Sequence, residues 1–568
     1  MRYHVLACDY DGTLAHDGVV DEATVKALKR LRESGRRLIM VTGRELPDLQ
    51  QVFPHLELFE HVVAENGALL YRPASREERL LDEPASEKLV ERLRTLGVNP
   101  LSVGRVIVAT RTPHEVEVLE AIRELGLEHQ VIFNKGAVMV LPAGITKATG
   151  LAAALRELKL SAHNAVGIGD AENDHHLLAL CECGVAVANA VPSLKEQADW
   201  VTNGARGAGV VELIEKMIAS DLAELAPVVL ERHALTLGRA GDSDWRVATY
   251  GANLLLSGTS GSGKSTLATG LLERLTEQTY QYCVIDPEGD YDDVGAIVFG
   301  TSDRPPAIEQ VIKALEDPDL SCVINLLGVP MTDRPGFFER LFFGLLTLRT
   351  RRGRPHWIVA DEAHHLLPQT QTSSEVLLAR ELTSLLWITV HPDHVARAAL
   401  ELVDIVIAVG TAPGETLTRF ATAVGRSAPA VGGELAAGEA IGWEWRADKP
   451  PRRFVSIPPR TERRRHDRKY AKGELAPENS FYFRGPDGRL NLRAQNLQIF
   501  LQLADGVDDE TWLHHLKRGD YSRWLRESIK DDELADAVAR IEQTSRPDPK
   551  TTRAEIRRLI EERYTAPA

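Results

Sequence analysis

Cysteine pairs and long apolar runs are both missing from this chain of 568 residues. The five cysteines are odd in number and lack C-x-x-C spacing, which is typical of reduced thiols and excludes a disulfide framework. No apolar run reaches the ~18 residues of a membrane span, and no signal peptide opens the chain. With 43% apolar and 26% charged residues, the composition predicts a cytoplasmic protein of several globular domains.

An excess of positive charge is also missing. The net charge of −15 argues against a chain that coats nucleic acid over its whole surface, although it leaves room for local basic segments. Two such segments exist, and their members are Arg349, Arg351, Arg352 and Arg354, and Arg460, Arg463, Arg464, Arg465, Arg468 and Lys469. Either segment can meet phosphates, but neither has interleaved aromatics for base stacking. A solvated loop and a charged linker are therefore the favoured alternatives.

Short apolar runs that end in Gly, Asp or Asn alternate with helical patterns twice along the chain. This rhythm predicts α/β folds with parallel sheets, and places the chemistry at the carboxyl ends of the strands. A first domain is expected over 1–220, interrupted by a smaller α/β unit at about 75–142. A second is expected over 221–458, followed by a charged linker at 459–476 and a mostly helical module at 477–568. For that module, partner docking or regulation is the default expectation.

The first cluster of candidate catalytic residues begins in DYDGT. Asp9 and Asp11 follow an apolar strand, and two carboxylates so close favour a divalent cation. One can attack phosphorus while the other transfers the proton of the leaving group, although a surface turn is the alternative. Thr42 in VTGR can bind a phosphoryl oxygen, and Lys147 can neutralise its charge. GDAEND adds a second acidic group for the same cation, made of Asp170, Asn173 and Asp174.

These four motifs, in this order, resemble those of the haloacid dehalogenase (HAD) superfamily of phosphatases. The resemblance implies a Rossmann-like domain whose inserted unit is the large α/β cap of the sugar-phosphate-phosphatase-like branch. It implies Asp9 as nucleophile and Asp11 as acid and base. It also implies Mg²⁺ held by Asp9, by the backbone carbonyl of Asp11 and by Asp170, with support from Asp174. The cap selects the phosphorylated substrate in this family. His175 and His176 are expected to be helix residues rather than metal ligands.

The stretch GTSGSGKST matches G-x-x-x-x-G-K-[ST] between a strand-like and a helix-like segment. Its residues are predicted to bind a nucleotide, and they are Gly258, Thr259, Ser260, Gly261, Ser262, Gly263, Lys264, Ser265 and Thr266. Backbone N–H groups cradle the phosphates, Lys264 reaches the β/γ oxygens and Ser265 binds Mg²⁺. In HWIVADEAHH, Asp361 is expected to hold Mg²⁺ through water, and Glu362 to polarise the attacking water.

Together with IDPEGDY and WITVHPDHV, these segments resemble the HerA/FtsK-type branch of P-loop (RecA-like) motor ATPases. The resemblance implies ATP hydrolysis by a ring, with a hexamer expected and DNA as a partner. In such rings an arginine of one subunit completes the neighbour's site. Arg380 is the candidate, and an ordinary surface arginine is the alternative. His391 stands where the family usually carries Gln, Asn or Thr to sense the γ-phosphate, and no β-barrel precedes the core. Both departures put DNA translocation in doubt.

The leading hypothesis from the sequence is a bifunctional Mg²⁺-dependent phosphatase and ATPase. A kinase–phosphatase is the first alternative, and it would have no need of Glu362. The second alternative is a nucleotide-gated scaffold that regulates a small-molecule phosphatase. The large cap favours small metabolites over polymer ends as phosphatase substrates.

Overall fold

The computed structural model describes residues 1–134, 136–259, 261–291, 294–369, 382–447, 449–460, 475, 479–488, 490–529, 531–544 and 547–564. Predictions for Ser260, Arg380 and most of the second basic segment therefore lie outside the described residues. The chain divides into two compact units, Met1–Arg460 and Thr461–Ala568. The first unit contains two large α/β sheets.

The first sheet has eight strands in the order β12-β11-β10-β1-β2-β3-β4-β5. It is parallel from β12 to β3, and β4 and β5 extend it antiparallel. The strands of this domain are β1 Val5–Cys8, β2 Arg37–Val41, β3 His61–Ala64, β4 Leu69–Arg72, β5 Glu77–Leu80, β6 Ser102–Val103, β7 Val108–Arg111, β8 His129–Asn134, β9 Ala137–Pro142, β10 Ala165–Gly169, β11 Cys183–Ala186 and β12 Trp200–Val201. Because β10, β1 and β2 are neighbours, the residues that follow them meet at one edge of the sheet.

The helices of this domain cover the sheet with apolar faces. In α1, for example, Val25, Leu28 and Leu31 are buried, and the side chain of Asp21 caps the helix by accepting from the Thr24 N–H. The helices are α1 Glu22–Glu33, α2 Leu46–Val52, α3 Glu87–Thr95, α4 Glu115–Leu125, α5 Lys147–Glu157, α6 His175–Leu180, α7 Pro192–Gln197, α8 Gly207–Ser220 and α9 Ala226–His233. His175 and His176 begin α6, and they belong to neither group of potential metal ligands found among the described residues.

The inserted unit is a four-stranded antiparallel sheet, β6-β7-β9-β8, covered by α3 and α4. Val138 and Val140 of β9 pack with the helices, whereas Met139, which alternates with them, belongs to a separate cluster. The predicted α/β cap inserted in a Rossmann-like domain is therefore confirmed. Glu65, just after β3, fastens the cap to the sheet domain by accepting from the N–H groups of Arg105, Val106 and Ile107.

The second sheet has eleven strands in the order β14-β13-β23-β22-β21-β15-β20-β19-β16-β18-β17. It is parallel from β21 to β17, as predicted, and antiparallel strands extend it at the other end. The strands are β13 Leu235–Ala240, β14 Ser243–Val247, β15 Leu254–Gly258, β16 Tyr282–Asp286, β17 Ile297–Phe299, β18 Cys322–Asn325, β19 Trp357–Ala360, β20 Leu385–Thr389, β21 Ile405–Val409, β22 Glu439–Trp443 and β23 Arg452–Ser456.

Two apolar cores lie on opposite faces of this second sheet. Leu255 of β15 belongs to one core, while Leu254 and Leu256 belong to the other, as expected for a strand buried on both faces. The helices are α10 Lys264–Glu277, α11 Ile308–Leu315, α12 Arg334–Arg352, α13 Ala363–Leu366, α14 Arg397–Leu400 and α15 Pro413–Val424.

The first basic segment is neither a solvated loop nor a phosphate-binding surface over its whole length. Arg354 is fully buried and donates to the carbonyls of Leu315, Lys159 and Glu316. Arg349 lies at the end of α12 and donates to three further backbone carbonyls. The expectation was wrong for these two side chains because their guanidinium groups satisfy carbonyls inside the fold. Arg354 also joins the first domain to the second.

The second unit contains a small antiparallel hairpin, β24 Phe481–Phe483 and β25 Leu492–Ala494, and several helices. The helices are Leu497–Gly506, Asp509–Lys517, Asp520–Trp524, Asp532–Glu542 and Pro549–Tyr564. Phe481, Phe500, Trp512 and Tyr521 share one apolar core. The predicted helical module is thus confirmed. Within the described residues, no helix combines the length and the apolar character needed to cross a membrane.

Candidate functional site

The first site is built on a buried lysine between two buried carboxylates. Lys147, at the start of α5, places Nζ 2.6 Å from Asp9 Oδ1 and 2.6 Å from Asp174 Oδ1. Asp174 Oδ2 accepts from the backbone N–H groups of Asp170 and Ala171, which fixes the loop after β10. Ligand atoms of Asp9, Asp170 and Asp174 lie within 4.8 Å of one another. This carboxylate set fits Mg²⁺, which prefers hard oxygen ligands.

Burial and charge compete for the protonation of this cluster. Burial raises the pKa of Asp9, with further increases from Asp174 and Asp170, while Lys147 acts in the opposite direction. Burial lowers the pKa of Lys147, but Asp174 and Asp9 more than offset that effect and the pKa is raised. The lysine is therefore a permanent cation. Further positive charge near Asp9 would favour the ionised form of its carboxylate.

Asp11 lies beside this cluster and is held by Arg44. Arg44 Nε and Nη2 donate to the two carboxylate oxygens of Asp11 at 2.6 and 2.7 Å, and Arg44 also pairs with Asp48. The hydrogen bond to Asp11 is the main reason why the pKa of Arg44 is raised. Thr42 is buried after β2, and its hydroxyl accepts from the Arg44 N–H. Sequence reasoning quoted VTGR for Thr42 and missed Arg44, whose partner only the fold reveals.

A cavity of about 340 Å³ connects this site to the cap. The sheet domain contributes Asp9, Asp11, Gly43, Arg44, Asp48, Lys147, Asp170 and Ala171 to its lining. The cap contributes Arg111, Asn134, Ala137 and Met139, none of which the sequence singled out. The volume is near the lower end of the roughly 300–1,000 Å³ of small-molecule sites. The cavity therefore lies between the carboxylates of the sheet domain and the cap sheet.

The second site surrounds the loop after β15. Gly261 and Gly263 have φ of 75° and 92°, which side chains with a Cβ rarely adopt. Gly258 is needed for a different reason, because a Cβ there would lie 2.2 Å from the carbonyl oxygen of Val409. Lys264 begins α10 and points back into the loop, where Nζ donates to the carbonyls of Gly258 and Thr259. In the described part of the loop, glycines therefore occupy the positions that a side chain with a Cβ would strain or block.

The acidic pair lies two strands from this loop. Asp361 follows β19 and accepts from the N–H of Glu362 at 2.9 Å. Glu362 has a strained φ of 42°, and burial together with Asp361 raises its pKa. His364 Nδ1 lies 3.0 Å from the Thr389 hydroxyl at the end of β20 and 3.4 Å from Glu362. The N–H of His391 donates to the same hydroxyl.

The remaining predicted residues of the second site are placed by the same elements. Ser265 and Thr266 form the first turn of α10, and Ser262 and Thr259 belong to the loop. In IDPEGDY, the buried carboxylate of Asp286 accepts from the N–H groups of Glu288, Gly289 and Tyr291. This motif therefore shapes the turn that follows β16.

Comparison with known proteins identifies the first domain. Residues 6–102 and 98–214 match the family model described as haloacid dehalogenase-like hydrolase. The chain is 30% identical over 223 residues to phosphoglycolate phosphatase 2 of Saccharolobus solfataricus, an alignment that covers 38% of this chain and 93% of that protein. The chain belongs to the haloacid dehalogenase-like hydrolases.

Further relatives of this hydrolase match the same region. It is 33% identical over 219 residues to a phosphoglycolate phosphatase of Haloarcula marismortui, covering 37% of this chain and 95% of that protein. A solved haloacid dehalogenase-like hydrolase from Bacteroides thetaiotaomicron aligns with 38% of this chain and 99% of its own, at 21% identity and a TM-score of 0.34. The relatives that align over nearly their whole length are named phosphatases, which is the type of hydrolase that the sequence predicted.

The second domain matches another family. Residues 236–333 match the model described as the central domain of the helicase HerA. That segment contains the loop after β15 and ends before Asp361, Glu362 and His391. The chain is therefore a fusion of a haloacid dehalogenase-like hydrolase with a HerA central domain, which confirms the resemblance to both families.

Proposed function

We propose that this chain carries two hydrolytic sites, a Mg²⁺-dependent phosphatase centred on Asp9 and an ATP-hydrolysing site at the loop after β15. The observation that carries the proposal is the bridge from Lys147 to Asp9 and Asp174, with Asp170 beside it. Such a buried mixture of charges is costly unless it performs chemistry or holds an ion.

In the proposed phosphatase reaction, Asp9 attacks the phosphorus of a phosphomonoester and becomes an aspartyl phosphate. Asp11, oriented by Arg44, gives a proton to the departing alkoxide and then takes one from the water that hydrolyses the intermediate. Lys147 and the Thr42 hydroxyl hold the phosphoryl oxygens. Bound Mg²⁺, held by Asp9, Asp170 and the Asp11 carbonyl, would supply charge neutralisation for the transferred group.

The proposed substrate is a small phosphomonoester. The cavity of about 340 Å³ is closed on one side by the cap sheet, which leaves little room for a polymer end. Relatives that align over nearly their whole length are named phosphoglycolate phosphatases. Their name supports a substrate of two or three carbon atoms.

In the proposed ATPase, backbone N–H groups of the loop and Lys264 bind the phosphates, and Ser265 and Asp361 are the ligands that fit Mg²⁺. Glu362 polarises the attacking water, and its raised pKa suits a group that accepts a proton near neutral pH. The proposed contact to the γ-phosphate is His391, whose backbone N–H donates to the Thr389 hydroxyl. The match to a HerA central domain supports ATP as the nucleotide.

Paired assays on one preparation test both sites. Asp9→Asn should abolish release of phosphate from para-nitrophenyl phosphate and leave ATP hydrolysis intact. Glu362→Gln should abolish ATP hydrolysis and leave phosphate release from para-nitrophenyl phosphate intact. Glu339→Gln, a change of the same kind on α12, is the control and should affect neither activity. Release of ADP without an acceptor supports hydrolysis. Transfer of the γ-phosphate to an added alcohol or sugar instead would establish the kinase alternative.

The proposal also includes assembly of the chain as a ring on DNA. The match to a HerA central domain supports this part as well. Light scattering with and without ATP measures the assembly, and ATP turnover with and without duplex DNA measures the partner. We expect a hexamer and stimulation by DNA. A monomer whose ATP turnover does not change when DNA is added would contradict the ring on DNA. It would not contradict the two proposed active sites.

A second candidate function is regulation of the phosphatase by the nucleotide. One element connects the two sites, because α10 begins at Lys264 and the residues just after its end contact the hydrolase domain. The Gln278 carbonyl lies 2.6 Å from His163 Nε2, and the Tyr280 hydroxyl donates to Glu182 at 2.8 Å. His163 in turn precedes β10, which ends beside Asp170. A shift of α10 on nucleotide binding therefore reaches the strand that carries Asp170.

This candidate predicts that ATP changes the kcat or KM of the phosphatase and that Lys264→Ala removes the change. Lys313→Ala, on α11, is the matched control. Phosphatase kinetics that are identical with and without ATP, in a protein shown to bind ATP, would exclude the regulatory function.

A further inference from the structure

The inner face of the cap carries a row of three residues across neighbouring strands. Arg111 of β7 pairs in register with Ala137 of β9, and Ala137 pairs with Asn134 of β8. All three line the cavity above Asp9 and Lys147, as does Met139, two residues along β9. The small side chain of Ala137 leaves a gap between the guanidinium and the amide. The cap therefore presents a polar recess toward the reacting centre.

Arg111 differs from the other cations of the cavity. Lys147 is neutralised by Asp9 and Asp174, and Arg44 by Asp11 and Asp48. Within the described part of the chain, Arg111 forms no ion pair, and it is exposed. Next to it in the row, the Oδ1 atom of Asn134 is buried with no hydrogen-bond partner among the described residues. The recess thus holds one positive charge that forms no ion pair with a described residue, and one amide oxygen that can accept a hydrogen bond from a ligand.

We propose that Arg111 binds a carboxylate at the far end of the phosphatase substrate, so that the substrate class is a short phosphorylated carboxylic acid. This inference rests on the proposed phosphatase site. The planar fork of a guanidinium matches the two oxygens of a carboxylate, and the pairing strengthens in an enclosed cavity. The phosphoryl end lies at Asp9 and Lys147, and the acid end lies under the cap. Arg111 is therefore a residue that determines specificity rather than one that reacts.

The test compares two substrates that differ only at the far end, 2-phosphoglycolate and ethyl phosphate, in which a methyl group replaces the carboxylate. We expect the wild-type chain to prefer the acid by about 10- to 100-fold in kcat/KM. Arg111→Gln should remove most of this preference by lowering turnover of the acid alone, and Arg111→Lys should restore part of it. Arg123→Gln, a matched change in α4 on the helical side of the cap, should keep it.

The outcomes separate this inference from the phosphatase proposal. Two outcomes would overturn the role of Arg111 alone. In the first, the chain hydrolyses para-nitrophenyl phosphate but does not prefer 2-phosphoglycolate to ethyl phosphate. In the second, Arg111→Gln lowers kcat/KM equally on 2-phosphoglycolate and ethyl phosphate. Phosphate release that Asp9→Asn leaves unchanged with every substrate would overturn the phosphatase site itself.

Discussion

At the scale of single residues, the most consequential is Asp9, the proposed nucleophile, because its burial opposes the ionised form that the reaction needs. Asp9 must be ionised to attack, yet burial raises its pKa and Lys147 only partly compensates. A cation next to the carboxylate favours the ionised form and lowers that pKa. The acid limb of kcat/KM should therefore lie at higher pH when Mg²⁺ is limiting than when it is saturating. Rate profiles from about pH 5 to about pH 9 at two Mg²⁺ concentrations measure the shift. If the acid limb of kcat/KM lies at the same pH at both Mg²⁺ concentrations, Asp9 is not a ligand of Mg²⁺.

Arg44 gives a second prediction at this scale. Arg44 donates to both carboxylate oxygens of Asp11, so Arg44→Gln should leave this proposed acid–base group without its orientation. We expect kcat to fall by roughly 10- to 100-fold with little change in KM, because misplacement affects the reaction more than the binding. Arg30→Gln breaks a similar two-bond pair with Glu215 on the exposed face of α1 and serves as the control. If both variants lose activity equally, Arg44 has no special part in orienting Asp11.

The sequence predicted the residues that follow strands and missed those that meet across the fold. Asp9, Thr42 and Asp170 follow β1, β2 and β10, and a parallel sheet brings such positions together whatever the rest of the chain does. The partner of Arg44, by contrast, depends on a side-chain direction. Arg111 and Asn134 depend on how the cap closes over the sheet. No local pattern encodes that closure.

At the scale of elements, the junction between the cap and the hydrolase sheet depends on Glu65. This fully buried carboxylate accepts three backbone N–H groups from the 105–107 segment. Glu65→Gln would leave at least one buried donor unsatisfied, at a cost on the order of 2 kcal/mol. We expect a lower free energy of unfolding in urea and a higher KM, since the cap lines the cavity of the proposed phosphatase site. Glu78→Gln, which removes an exposed partner of Arg105, should change neither quantity appreciably. An unchanged KM would show that Glu65 does not hold the cap in place.

Contacts between elements also explain why the solvated loop expected for the first basic segment, at the end of α12, was wrong. Its arginines lie close together in a helix end and the turn that follows, which in isolation is typical of a solvated surface. The hydrolase domain supplies partners that only tertiary contact reveals, such as the carbonyl of Leu158 for Arg352 and that of Lys159 for Arg354. Buried carbonyls need donors, and arginine satisfies several at once. These arginines therefore join two domains.

At the scale of the whole molecule, the two domains share a buried polar network centred on Glu182. Arg2 pairs with one oxygen of Glu182, and His163 and Tyr280 contact the other. His163 stacks on Tyr280 with ring centroids 3.7 Å apart. The carboxylate of Glu182 is therefore satisfied by protein donors, and the guanidinium of Arg2 opposes a metal ion at this position.

This network should weaken in acid. Burial lowers the pKa of His233, which lies beside Glu182, to about 4, so this histidine is neutral in the folded chain and takes up a proton near pH 6.5 in the unfolded chain. The unfolded chain thus binds more protons between those values, and stability falls as the pH decreases from about 6.5 to about 4. Burial opposes ionisation of Glu182, but His163 and Arg2 outweigh it and lower its pKa. Its contribution is therefore complete above its usual value of 4.5 and declines below it.

The free energy of unfolding of the first unit should accordingly fall by on the order of 1 to 2 kcal/mol between pH 7 and pH 5 because of His233. Urea unfolding at both pH values, followed by tryptophan fluorescence, measures this loss. His233→Asn removes one of the titrating groups and should reduce the pH dependence by that amount, whereas His16→Asn, on an exposed turn, should leave it unchanged. Glu182→Gln should destabilise the chain by about 3 kcal/mol at pH 7, because it leaves Arg2 buried without its counter-charge. A pH dependence that survives His233→Asn unchanged would place the acid sensitivity elsewhere in the molecule.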